Sequence, residues 1–346
     1  MAIVLAGIDE AGYGPTLGPF CTGLSVFRAP DAADPNKAPD LWSLLQRGVC
    51  REPGRGGGTD RRGRVAVADS KQLKLSNSVR TTHPLVHLER GVLSFLRLMG
   101  AGAVPADDAG LFEALGVEAD APACYRGEGA ALPVSMTGGE LSLAAATVEA
   151  AMGKAGVSLL AMRADVTWEP EYNDVVRERN NKADAPLGAL CRHLRRVWSL
   201  WGGTRDEHGE PRRLGIACDR LGGRVQYAEV LSLMLPEAKI EVVEETEVRS
   251  RYVLTEEGPT PRRAGIVFLS EGESAHLPVA LASMIAKYVR ELSMARFNAY
   301  WGARYRDARG GELKPTAGYS TDARRWLQEV GDVLSMAERR ELVRIL

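Results

Sequence analysis

No apolar run in the sequence approaches the ~20 residues that a bilayer-spanning helix requires. The opening MAIVLAGIDE holds one short apolar run and then two carboxylates, without the basic leader and longer apolar stretch of a secretory signal. Cysteine is scarce: Cys21, Cys50, Cys124, Cys191 and Cys218 are odd in number, scattered and never spaced as CxxC. That argues against a disulfide framework or a structural zinc knot and fits a reducing compartment. His83 and His87 are four apart but Pro84 interrupts them and no HExxH occurs. The glycines of 54–58 lack the GK[ST] of a phosphate-binding loop. A net charge of -1, from 44 Lys and Arg against 45 Asp and Glu, excludes a uniformly basic packaging protein and a long acidic tail. It does not exclude a nucleic-acid enzyme, because local charge survives a neutral sum. A soluble, cytoplasmic protein without a membrane segment is expected.

The composition is ordinarily globular, and 346 residues suffice for one large domain or two modest ones. The run from Ala2 to Ile8 reads as a buried strand ending at Asp9, and Phe20 to Phe27 as a second strand beside it. Residues 47–64, with six arginines against two acids, read as a mobile basic loop. Leu85, Val86, Leu88, Val92, Leu93 and Leu96 recur at helical spacing. Glu140 to Lys154 reads as a helix, Val157 to Trp168 as a strand, and 183–201 as a helix capped by Asn180 or Asn181. Leu214 to Cys218 is a compact strand ending at Asp219. A helix is expected over Val225 to Leu235, strands at 239–243, 248–254 and 264–269, and a long helix at roughly 277–300. Strands first, then helices and strands interleaved, predict a mixed sheet with helices on its faces.

Four acids stand out by position. Asp9 and Glu10 end the first strand, Asp219 ends another, and Glu291 lies inside the long helix. Carboxylates gathered on one sheet rim repel one another and need a divalent cation to stay ionised together. Hard oxygen ligands favour Mg²⁺ or Mn²⁺, and two such ions can clamp both oxygens of a phosphodiester in transfer. The plainer alternative is that each acid caps a strand end or pairs locally; Lys287 and Glu291, four apart on a helix, suit an ion pair.

Five motifs, in order, carry a resemblance. Gly7-Ile8-Asp9-Glu10-Ala11-Gly12-Tyr13-Gly14-Pro15 comes first, then Asp69-Ser70-Lys71 followed by Leu73. Cys218-Asp219 ends a strand, Ala282-Ser283-Met284-Ile285-Ala286-Lys287-Tyr288-Val289-Arg290-Glu291 follows, and Gly318-Tyr319-Ser320-Thr321 closes the series. This set resembles the type 2 ribonuclease H (ribonuclease HII) family, over about a fifth of the chain. The resemblance implies an α/β, ribonuclease H-like mixed five-stranded sheet flanked by helices. It also implies an endonuclease that hydrolyses the RNA strand of RNA–DNA hybrids or nicks 5′ to ribonucleotides in duplex DNA, leaving a 3′-hydroxyl and a 5′-phosphate. Asp9, Glu10, Asp219 and Glu291 would hold two Mg²⁺ or Mn²⁺ ions. Gly12, Tyr13, Gly14, Ser70, Lys71, Lys287 and Tyr319 would contact the nucleic acid. Alternatives are a non-catalytic hybrid- or duplex-binding homologue and a nuclease of this fold with another substrate.

Two positions depart from the family: Tyr13 replaces a basic residue in the glycine turn, and Glu291 replaces an aspartate. The chain also exceeds a ribonuclease H core, which suggests a catalytic domain at 1–300 with insertions at about 28–64, 100–150 and 240–275. A C-terminal helical extension at 301–346 would contact nucleic acid, and a monomer is expected. The charges sort by position. Residues 287–309 carry six basic against two acidic residues, interleaved with Tyr288, Phe297, Tyr300, Trp301 and Tyr305. That pattern predicts phosphate contact with stacking aromatics, or else core aromatics beneath a solvated face.

Overall fold

The apolar opening run becomes β1 (Ala2–Ala11), and alternation along it decides what covers each face. Val4, Ala6 and Ile8 enter one apolar cluster while Ile3, Leu5 and Ala11 enter another, so the strand is buried on both sides. The computed structural model describes residues 2–345 except 33–36, 55–56, 100–103, 119, 128 and 207. After β1 come β2 (Phe20–Pro30), α1 (Leu41–Leu44), β3 (Val49–Cys50), β4 (Val65–Ala66), α2 (Ser70–Leu73), α3 (Val86–Arg97), α4 (Asp108–Leu115) and α5 (Gly138–Ala155). The middle of the chain supplies β5 (Ser158–Thr167), α6 (Glu169–Arg179), α7 (Ala185–Trp201), β6 (Arg213–Asp219) and α8 (Ala228–Met234). The remainder forms β7 (Lys239–Glu245), β8 (Arg249–Glu256), β9 (Arg262–Leu269), α9 (Gly272–Ala275), α10 (Leu277–Arg309), α11 (Ser320–Val330) and α12 (Met336–Leu342).

The main sheet runs β5-β2-β1-β6-β9-β8-β7. β2 pairs antiparallel with both β1 and β5, whereas β6 pairs parallel with both β1 and β9. This is the mixed α/β class expected of a ribonuclease H-like chain. The strand number is corrected from five to seven, because β7 and β8 form an antiparallel hairpin that extends the sheet beyond β9. Leu190, Leu194, Val197 and Trp198 of α7 cover one face. Leu88 and Val92 of α3, with Leu281 and Ile285 of α10, cover the other. No helix among the described residues is long and apolar enough to cross a membrane.

α10 lies unusually close to the sheet. A Cβ on Gly7 would fall 2.1 Å from the Pro278 carbonyl carbon, and one on Gly23 would fall 2.1 Å from the Ala282 oxygen. Glycine at both positions lets the helix backbone rest on β1 and β2. The helix also runs to Arg309, past the expected end near 300. Its far half carries Phe297 and Trp301, which pack with Trp326 of α11 and Leu17 in a third cluster.

The expectation of an unpacked loop at 47–64 is corrected for its described residues; 55–56 lie outside them. Val49–Cys50 pairs in parallel with Val65–Ala66. Asp60 accepts the amides of Arg62 and Arg64 and pairs with the Arg64 guanidinium at 2.7 Å. Arg51 stacks on Trp42 at 3.5 Å, and Arg90 donates to the Gly57 carbonyl at 2.6 Å. Arginine content suggested a solvated tract, but Arg51 and Arg64 bond within the protein, while Arg47, Arg61 and Arg62 are exposed.

Candidate active site

The parallel register of β1 and β6 sets Ile8 against Cys218, so the next residues, Asp9 and Asp219, stand side by side on neighbouring strands. Glu10 follows Asp9. Ligand oxygens of Asp9, Glu10 and Asp219 all lie within 4.8 Å of one another. Three carboxylates that close repel, and burial adds to the penalty. Burial first, then Glu10 and Asp219, push the Asp9 carboxyl well above the usual carboxylate range. Burial and the Asp219 charge push Glu10 up to about 8. Asp219 is raised by burial, only partly offset by the amides of Gly272 and Arg220. The Gly272 amide donates to Asp219 Oδ1 at 3.0 Å. That amide is aimed by Glu271, a non-glycine residue in left-handed backbone at φ 58°.

A fourth carboxylate, which sequence reasoning missed, stands beside this group. Glu273 of α9 is only 8% exposed, and its Oε2 is buried without a hydrogen-bond partner. Burial raises its carboxyl, and Asp219 and Asp69 add to the rise. Its charge is felt in turn by Glu10. It follows a strand end (β9), the same signal that picked out Asp9 and Asp219. Lys71 answers these charges. Burial works against its ammonium, but Asp69, Glu273, Asp9 and Asp219 outweigh that and raise its pKa. Ser283 of α10 favours the ionised form of Asp9 and lies 2.9 Å from the Ser70 hydroxyl.

Glu291 does not join the three acids. It follows Ser283 by eight residues, about 12 Å along the helix axis. Lys287 pairs with it at 2.7 Å and Lys74 approaches at 3.9 Å. The local ion pair thus describes it in this structure. Lys287 Nζ also lies 5.8 Å from the ring of Tyr319, which is half exposed, and the Arg290 guanidinium lies 5.4 Å from that ring.

Most of the other basic and aromatic residues of 287–309 are engaged within the protein, while Arg306 is exposed. Tyr288, Phe297 and Trp301 are fully buried, so for these three the second alternative, core aromatics, holds. Tyr300 and Tyr305 pack on the third cluster. Arg296, Arg304 and Arg309 pair with Asp108, Glu338 and Asp332.

The glycine turn after β1 is held from below and behind. Gly12 has φ 93°, and a Cβ there would fall 2.7 Å from Arg290 Nε. Gly14 faces open space, and Tyr13 lies with Lys182 5.8 Å from its ring. Arg344, 2% exposed, donates to the carbonyls of Gly12 and Tyr13 and stacks on Tyr172 at 3.9 Å. The Gly318 carbonyl accepts the amides of Thr16 and Leu17, tying the Tyr319 loop to the same turn. No local sequence signal marks Arg344, because its partners are 331 and 332 residues away.

No family model and no curated protein matches the chain. Among solved structures, it is similar to the PCNA:RNase HII complex from Archaeoglobus fulgidus, at 14% identity and TM-score 0.40 over 99% of this chain and 94% of that one. It is also similar to ribonuclease H2 from Pyrococcus horikoshii OT3, at 13% identity and TM-score 0.35 over 98% of each chain. Bst-RNase HIII in complex with Mn²⁺ matches at 14% identity and TM-score 0.35, over 99% of this chain and 66% of that one. Likeness this distant carries no argument about activity or metal, so the functional reading rests on the site itself.

Proposed function

We propose that the protein is a metal-dependent endonuclease of the ribonuclease H type. It would hydrolyse the RNA strand of RNA–DNA hybrids or nick 5′ to ribonucleotides in duplex DNA, leaving a 3′-hydroxyl and a 5′-phosphate. The supporting observation is the meeting of Asp9, Glu10 and Asp219 towards the ends of two parallel strands, all driven towards protonation by burial and by neighbouring carboxylates. A divalent cation relieves both penalties at once. The residues fit one: their donors are hard oxygens, and the buried Glu273 Oε2 lacks a partner that a cation would supply. Asp9, Glu10 and Asp219, with Glu273 rather than Glu291 as the fourth carboxylate, would hold two Mg²⁺ or Mn²⁺ ions. When bound, such ions polarise a phosphoryl oxygen and lower the pKa of water.

The chain's own groups divide the remaining work. The amides of Gly272 and Arg220 orient Asp219, and Ser283 orients Asp9. Lys71 offers its ammonium to the phosphate charge, with Ser70 beside it. Gly12 and Gly14 leave room for backbone approach to the ribose 2′-hydroxyl, while Tyr13 and Tyr319 present rings to sugar or base. Lys287 sits near Tyr319 at the far side.

The test is cleavage of two labelled substrates, a hybrid and a DNA duplex with one ribonucleotide, in Mg²⁺ or Mn²⁺. Asp9→Asn and Asp219→Asn should each reduce cutting by more than about 100-fold, beyond the range for outer-sphere partners. Binding without cutting by the native protein would favour the non-catalytic homologue. Cutting of DNA or junctions alone would favour another nuclease of this fold.

A further inference from the structure

We infer that the β5 edge of the main sheet carries a phosphate-binding site, distinct from the acidic cluster, in which Arg163 and Arg196 are the anion ligands. Its ligand chemistry is the phosphate group, and the source that the geometry favours is the sugar-phosphate backbone of the nucleic acid proposed above as substrate; on that point it rests on that reading.

β5 is one of the two edge strands of the main sheet, β7 being the other. Between it, α7, the end of α4 and the turn after α8 lies an open cavity of about 920 Å³, lined by five arginines. Three of them are committed. Arg192 grips Asp165 with Nε and Nη2, each at 2.6 Å, and approaches Glu171 at 3.8 Å. Arg195 Nε donates to the Met234 carbonyl at 2.7 Å, and Arg262 pairs with Glu256 at 2.7 Å. Arg163 and Arg196 have no side-chain hydrogen bond or ion pair among the described residues. Glu118 stands at the Asp165 and Glu171 end, and Glu237 is exposed at the rim; neither pairs with them.

Arg163 is partly buried, and the like charge of Arg196 acts on it. Withdrawing a guanidinium from water beside a second one is unfavourable; the charge of Asp165, already held by Arg192, offsets only part of this, and an anion joining the two would offset more. Gly116 makes the room: a Cβ there would fall 1.8 Å from Arg163 Nη2. Two planar guanidinia facing one cavity match phosphate oxygens by paired hydrogen bonds.

The site is also placed to serve the acids. Glu10 is opposite Thr22, and Thr22 opposite Asp165, so Asp165 lies two strand spacings (about 10 Å) from Glu10. Arg163 is opposite Leu24, itself opposite Ile8, whose side chain lies with Leu24 under α7. α7 covers this face between the acids and the two arginines, so a strand leaving the acids reaches Arg163 and Arg196 over the outside of that helix.

Binding of a labelled RNA–DNA hybrid is measured by anisotropy in EDTA, where nothing is cut, across a salt series. Arg163→Gln with Arg196→Gln should weaken it about tenfold and reduce the slope of log K against log salt by about 2. A parallel titration with inorganic pyrophosphate tests a free phosphate source. Loss of pyrophosphate binding with an unchanged hybrid slope would overturn the backbone as the source. No effect of the substitutions on either ligand would overturn the site. Arg196→Gln alone, at an exposed helix position, gives the same reading should Arg163→Gln impair folding. Binding through these arginines by a protein that never cuts would sink the nuclease reading alone. Cutting with arginine-independent binding would sink this site alone.

Discussion

Glu10 keeps its proton to about pH 8, against an ordinary value of 4.5. A carboxyl raised on folding adds stability while protonated, and that contribution is lost as pH climbs towards the folded-state value. Asp9 and Asp219 shift in the same direction. The buried His87 and His193, pushed down to about 4, act below their ordinary 6.5 and are neutral in both states above it. The melting temperature in EDTA should therefore fall between about pH 6.5 and 8, and Mg²⁺ should remove most of that fall. A flat profile would show that the acids carry no such repulsion. The fourth carboxylate is separable by the same logic. Glu273→Gln should weaken Mn²⁺ binding about tenfold or more, followed by calorimetry, while Glu291→Gln leaves it unchanged. The reverse order would restore Glu291 to the metal set.

Among the elements, α10 bears most directly on the site, because it sets Ser283 against Asp9 and rests on two glycines. Gly23→Ala places a methyl against the Ala282 carbonyl and should cost about 1–3 kcal/mol, read as a lowered denaturation midpoint. An unchanged midpoint would mean that the helix shifts freely on the sheet. This helix also shows what a sequence can and cannot disclose. Strand ends were legible because apolar runs stop on Asp9 and Asp219, and the stripe of Val279, Leu281, Ile285 and Val289 announces a buried face. Phe297 and Trp301 stayed undecided between stacking and core roles because their cover, Trp326, comes from a helix made later in the chain. Local periodicity carries no term for such a neighbour. The hairpin of β7 and β8 was visible as strands, but their addition to the main sheet depends on pairing with β9, which strand propensity does not encode.

Across the whole molecule, remote segments converge on the glycine turn. β1, the 317–319 loop and Val343–Ile345 meet there, and Asn173 accepts the Ile345 amide at 2.8 Å while donating to the Val343 carbonyl at 3.0 Å. Arg344→Ala should leave two carbonyls short of donors, at roughly 1–3 kcal/mol. Hydrogen exchange should speed up at residues 12–18 while the amides of β1 stay protected. Equal loss of protection in both would mean that Arg344 supports the whole fold rather than the turn. The charge distribution reads differently at this scale as well. The basic excess at 287–309 is largely consumed by internal pairs, which leaves Arg306 of that segment exposed.

The span between Gly12 and Arg344 also orders events in time. The two residues are 332 apart in the chain. At roughly 5–20 residues per second, about 20–60 s of synthesis separate their appearance. β1 emerges early and waits for β6 before its acids can meet, and the glycine turn waits longer still for its clasp. A nascent chain thus has no finished glycine turn until Arg344 is made, so assembly of the site comes later than that of β1 itself.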